Sequence, residues 1–224
     1  MANDINDFPV NQARASSEDC RVQIGPFTFT GGTSLYAIAD LDHLFRDAYA
    51  KQGPRAFEDP KSAAVVHEAG HAVVFACFGL QVSCVKVRQK KKGADRGHWI
   101  GLTEVVGGYK FELDPQTAVN DDVRNACILF AGRAAELLFD TENFRLASSM
   151  DELVTVRALV LSIANKADLL PDEVQTKIAA MTFRILQENE AIVREIARLL
   201  NLKGVIRREA LAPTLARVKR PRLH

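Results

Sequence analysis

The chain has 224 residues, enough for one domain or a little more with a full hydrophobic core. Its hydrophobic fraction is 47% and its charged fraction 25%, which excludes a disordered, collagenous or low-complexity protein. Lys and Arg total 29 against 28 Asp and Glu, so no bulk field draws nucleic acid or an anionic membrane surface. The apolar run of residues 72–78 is far shorter than the roughly 20 residues of a membrane span, so no membrane crossing is expected. The start MANDINDFPV lacks the basic and apolar parts of a secretory signal. Cys20, Cys77, Cys84 and Cys127 form no C-x-x-C pair and are expected to be reduced, packed thiols of a cytoplasmic protein.

In chain order, residues 1–32 are polar and broken by Pro9, Gly25, Pro26, Gly31 and Gly32. They predict a flexible arm with a short extended piece over 21–30, leaving 33–224 as a single domain. Residues 34–50 carry Leu35, Ile38, Leu41, Leu44, Phe45 and Ala48 at helical spacing. Asp59-Pro60 then opens a helix that runs to about 78, with Asp59 as the expected cap and Pro60 in the first turn. That helix is apolar on nearly every face, which predicts central burial, and its polar exceptions are His67, Glu68 and His71. Residues 81–88 and 99–106 predict a β-hairpin whose basic loop is a solvated tip. Helices are expected over 117–139, 149–167 and 171–202, and a short one over 207–218. The predicted fold is mainly α, with a small β-hairpin or sheet beside the most buried helix.

His67-Glu68-Ala69-Gly70-His71 is an H-E-x-x-H motif on that helix. Residues i and i+4 share a face, so both imidazoles can point at one metal ion, and imidazole nitrogen suits zinc. Glu68 can reach a water on the metal and act as its general base. Three ionisable side chains in a helix of Ala, Val and Phe cost several kcal/mol unless something compensates them, and a metal does so simply. A third histidine for the metzincin pattern would fall on Cys77 and its glycine on Val74, which excludes that subclass. His43, His98 and His224 predict ordinary histidines, so the third ligand is expected to be a carboxylate. Glu136, in AGRAAE, and Asp151, at a helix start after LASSM, both suit; the helix start favours Asp151. Arg133 and Glu136 form an i, i+3 pair expected mainly to brace the helix, and Gly132 with its alanine neighbours to let that helix pack closely on the motif.

The blocks VVHEAGHAVV, QVSCVKV, IGLTE, LFAGRAAELLF and SSMDEL, in this order over residues 60–160, resemble the peptidase domain of FtsH-type ATP-dependent zinc metalloproteases. The resemblance implies a helical zinc-peptidase fold and a metalloendopeptidase activity on peptides or unfolded chains. Zinc would be held by His67, His71 and Asp151, with Glu68 as base. The asparagine that precedes the family's aspartate is Met150 here, and its glycine position reads Ala147. The sequence has no G-x-x-x-x-G-K-[ST] loop, so a stand-alone relative without its own ATPase module is expected. The family assembles as a ring, which makes a homo-oligomer one expectation and a separate ATPase partner another. The rival from another class is a catalytically silent zinc-binding module that regulates a partner. Retention of Glu68 argues against it, since a purely structural site does not need the base.

Overall fold

A computed structural model describes residues 21–24, 27–30, 60–91, 97–109, 116–140 and 150–220. The chain divides into two compact units, Met1–Pro54 and Arg55–His224. In the first, β1 (Arg21–Ile24) pairs antiparallel with β2 (Phe27–Thr30), Arg21 opposite Thr30 and Ile24 opposite Phe27. This matches the extended piece expected over 21–30. The helix expected over 34–50 and Asp59 lie outside the described residues; the N-cap of the helix expected after Asp59 is Pro60, a residue expected in its first turn.

The second unit is mainly helical with a small antiparallel sheet. Helix α1 (Lys61–Cys77) is its axis, with Pro60 at the N-cap. Its Ala, Val and Phe side chains are buried on every side, because α1 is flanked by helices and by the sheet. The sheet is formed by β3 (Val82–Gln89), β4 (Trp99–Val105) and β5 (Val205–Arg207), in the order β4-β3-β5. Both β3 and β4 pack on α1, the neighbourhood expected from the sequence. Central β3 alternates inward Val85 and Val87 with outward Lys86 and Arg88.

Helix α2 (Val119–Phe139) packs against α1, and α3 (Met150–Ala167) and α4 (Pro171–Glu188) pack in turn on α2. Asp122, 1% exposed near the start of α2, accepts from Lys166 Nζ at 2.8 Å and so ties the end of α3 to α2. The closest approach of α1 and α2 falls at Gly70. A Cβ there would stand 2.6 Å from Ala135 Cβ and 2.7 Å from the Ala131 carbonyl oxygen. Only a residue without a side chain lets these helices meet.

Two expectations fail at the C-terminal end. The single helix expected over 171–202 is broken into α4 and α5 (Glu190–Lys203) at Asn189. This side chain is 2% exposed and does the work of a backbone segment. Its Nδ2 donates to Ile185 O at 2.8 Å and to Lys219 O at 3.1 Å, and its Oδ1 accepts from Lys219 N at 2.7 Å. The break thus pins the chain's last described residues to the helical core. The second miss is β5, which precedes α6 (Arg208–Leu215) where the sequence suggested helix alone. Gly204, at φ +70°, ends α5 in the left-handed conformation, and the β-branched pair Val205-Ile206 joins the edge of β3 with Ile206 buried. Among the described residues, no helix is long and apolar enough to cross a membrane.

Gly70→Ala would raise helix propensity by about 0.8–1 kcal/mol in an exposed helix. Here the clash is with a carbonyl and a methyl held by a second helix, so a net loss of about 1–3 kcal/mol is expected. A lowered urea midpoint with unchanged slope would register it; a gain in stability would mean the two helices can separate without cost.

Candidate metal centre

The spacing of four residues on α1 stacks the imidazoles of His67 and His71 on one face, with their Nε2 atoms 3.0 Å apart. Helix α2 fixes the other side of each ring with a single stripe of residues four apart. The carbonyl oxygen of Ile128 lies 2.8 Å from His71 Nδ1, and Glu136 Oε1 lies 2.7 Å from His67 Nδ1. Between them, Gly132 leaves room for the His67 ring; a Cβ there would stand 2.4 Å from its Nε2. A carbonyl and a carboxylate only accept, so both Nδ1 atoms carry the proton in the neutral rings. Both Nε2 lone pairs then face the same point.

Glu152, in the first turn of α3, closes that point. Its Oε2 lies 3.2 Å from His67 Nε2 and its Oε1 lies 3.1 Å from His71 Nε2. Oε2 is buried with no hydrogen-bond donor. One ligand atom from each of His67, His71 and Glu152 lies within 4.8 Å of the others. Three ligand atoms crowd one buried point, one of them a carboxylate oxygen, and a cation there would satisfy all three. Zinc with bonds of roughly 2.0–2.1 Å to nitrogen would set tetrahedral ligand atoms about 3.3 Å apart, close to the separations found. Donor type and spacing therefore fit a two-histidine, one-carboxylate site.

The charges are strongly coupled. Burial opposes a proton on His67, but the Glu152 and Glu136 carboxylates outweigh it and hold the pKa well above 6.5. Burial would also raise Glu152, yet His71 and His67 keep its carboxyl below the usual range. Arg133 sits with NH1 3.8 Å from Glu136 Oε2, and burial brings its guanidinium down to about 10 despite that carboxylate. The i, i+3 pair expected from the sequence is present. Glu136 has a second task as well, since it orients the ring of His67 in the manner of a carboxylate behind a metal-ligating histidine. As a direct ligand Glu136 is badly placed, because its Oε1 is on the nitrogen facing away from the cluster.

Glu68 also lies at this site, 6% exposed, on the side of the sheet. Its carboxylate Oε2 accepts the Thr103 hydroxyl of β4 at 2.6 Å. Burial raises its pKa, against the opposing pull of His71, His67 and Thr103. Of the sequence-predicted residues, the structure brings together His67, Glu68 and His71, with Glu136 behind them. The side chain of Asp151 lies outside the described residues, as do Cys20, His43 and His224. Its neighbour Glu152 was missed, although a signal existed. The buried stripe Val156, Leu159, Val160 and Ile163 of α3, extended back one turn, lands on position 152. Cys77 and Cys127 are buried thiols pushed up to about 11 by burial, which fits the expected inert packing role. Comparison of the chain with protein-family models and with curated proteins finds no match.

In metal-free protein, the His67–Glu152 pair has a definite pH signature. A raised histidine stabilises fully below 6.5 and loses that contribution as pH rises through its folded value. A depressed carboxylate stabilises fully above 4.5 and loses it as pH falls through its folded value. With chelator present, the pair's contribution should therefore be greatest between these limits. Glu152→Gln should flatten the profile of denaturation midpoint against pH; a profile unchanged by that substitution would show that the two groups do not interact.

Proposed function

We propose that this chain is a zinc-dependent metalloendopeptidase of the H-E-x-x-H type. The observation that supports it best is the convergence of the His67 and His71 Nε2 atoms and the Glu152 carboxylate on one point, with the Glu68 carboxylate beside it. A structural zinc site is closed by four protein ligands, whereas three protein ligands and an adjacent base suit a catalytic one. His67 and His71 would hold the ion together with Glu152. The resemblance to FtsH-type peptidases would instead put Asp151 in third place.

Zinc, when bound, supplies a Lewis acid that polarises the scissile carbonyl and a lowered pKa for the attacking water. The residues of the chain supply the rest. Glu68 takes a proton from that water as its oxygen bonds to the carbonyl carbon. It then delivers the proton to the amide nitrogen as the carbon–nitrogen bond breaks, leaving a carboxylic acid and an amine, and the acid's proton passes to the amine to give a carboxylate and an ammonium. A carboxyl whose pKa burial has raised from its ordinary value holds the proton between these two transfers more readily than an exposed one. Glu136 keeps His67 in the tautomer that leaves Nε2 bare.

Strand β4 stands at one edge of the described sheet, with Leu102 46% exposed, and is the place for an extended peptide to add as a further strand. Peptides, unfolded chains and flexible segments are the substrates this arrangement suits. A cytoplasmic setting, a ring of identical copies and an ATPase motor on a separate chain belong to the same proposal.

Purified protein should carry about one zinc per chain by elemental analysis and cleave casein or a quenched peptide in a chelator-sensitive manner. Glu68→Gln should keep the metal and lose at least about 100-fold in kcat. Zinc retained with no cleavage by the wild type would favour the silent regulatory module, and no zinc uptake at micromolar supply would end both possibilities.

The ligand set is open to a separate test. Glu152→Ala should abolish stoichiometric zinc binding, while Asp151→Ala should leave it close to wild type, both read by zinc titration. The reverse result would give the third position to Asp151.

A further inference from the structure

The H-E-x-x-H motif names the base but not what aims it. Glu68 follows His67 on α1, and nothing on α1 itself fixes the direction of its carboxylate. The two residues that do so are on β4, and they are two apart, so they share one face of the strand. At Gly101 a Cβ would stand 2.2 Å from Glu68 Cγ and 2.2 Å from its Oε1. The strand is therefore bare where the Glu68 side chain crosses it. At Thr103 the hydroxyl lies 2.6 Å from Glu68 Oε2 and 3.2 Å from the Glu68 backbone oxygen. Leu102, between them, turns outward. A bare position thus cradles one end of the carboxylate and a hydroxyl holds the other.

We infer that Thr103 is the positioning residue of the proposed general base: its hydroxyl donates to Glu68 Oε2, leaving Oε1 as the atom that accepts and returns the proton. This deepens the peptidase proposal and rests on it. The chemistry follows from the donor count. A threonine hydroxyl has one proton to give, and giving it to Oε2 leaves that oxygen the poorer acceptor of a second. Among the described residues no protein donor reaches Oε1. Thr103 touches neither water nor substrate in this role; it selects which oxygen of Glu68 works, and from what direction. Gly101 is the steric half of the same device, since any side chain there would push Oε1 out of its place.

The test compares Thr103→Val, which keeps the shape and loses the hydroxyl, with Thr103→Ser, which keeps the hydroxyl. In the full zinc-loaded chain, Thr103→Val should lower kcat about 10- to 100-fold with KM, zinc content and thermal midpoint near wild type, and Thr103→Ser should recover it to within a few-fold. A readout independent of turnover is the carbon-13 carboxyl resonance of Glu68 in glutamate-labelled protein, assigned by its loss in Glu68→Gln. It should move in Thr103→Val and stay in Thr103→Ser. An active wild type with kcat unaltered in Thr103→Val, or a Glu68 resonance that ignores the loss of the hydroxyl, overturns the positioning role alone. Equal loss of kcat, zinc and thermal midpoint in Thr103→Val makes Thr103 merely structural. A zinc-loaded wild type that cleaves nothing overturns the peptidase proposal itself, and its cause is then sought elsewhere than at Thr103.

Discussion

Everything at this site depends on where two protons are kept. His67 and His71 each give the Nδ1 proton to an acceptor on α2, Glu136 Oε1 and Ile128 O, and this turns both Nε2 lone pairs onto one point. Were either acceptor missing, the proton could move to Nε2 and the two rings would pair with each other. The arrangement is expensive in a bare protein. Removing one partner from a buried charged pair costs about 3–5 kcal/mol, and here one imidazole is shared between two carboxylates. A cation between the rings and Glu152 would replace that compromise by direct bonds to all three groups. The fold thus gathers a cluster that could hold a metal ion.

The packing of α1 on α2 follows from the same demand. To reach the rings, α2 must come close to α1 along its whole middle, which the bare positions Gly70 and Gly132 allow. Positions 128, 132 and 136 of α2 then offer, one turn apart, a carbonyl, an empty place and a carboxylate. The backbone contributes as much as the side chains do. The AGRAAE segment is therefore more than a helix that packs well. Its glycine and its glutamate act on the same histidine, one by absence and the other by charge.

Much of this was legible in the sequence. The contrast of His67, Glu68 and His71 with an otherwise oily helix marked both the burial of α1 and the place where its ionisable groups cluster, because such groups persist in that setting only when compensated. The hairpin of β3 and β4 and the helices α2 and α3 followed from periodicity and turn residues. What escaped was decided by partners distant in sequence. The split between α4 and α5 depends on Asn189 meeting Lys219, and β5 on an open edge of β3; neither is a local property. Glu152, at the start of α3, was passed over in favour of Asp151 and Glu136 for a related reason. Chemistry alone does not separate aspartate from glutamate, and the stripe that singles out position 152 is completed by residues two and three turns further on.

The site also divides its labour between two kinds of element. The candidate ligands come from helices, whose internal hydrogen bonds make them stiff over several turns, and α1 and α2 are locked together at Gly70. Glu68, the proposed base, is held from the sheet, by Thr103 and across Gly101 on β4. That strand is also the edge on which the proposed substrate would add. A peptide pairing with β4 would order the same backbone that aims Glu68, so docking and proton transfer would share one element. Residues that only hold a metal have no need of such a link to an open sheet edge. Residues that must meet a scissile bond do, because the base has to be in register with the strand it acts on.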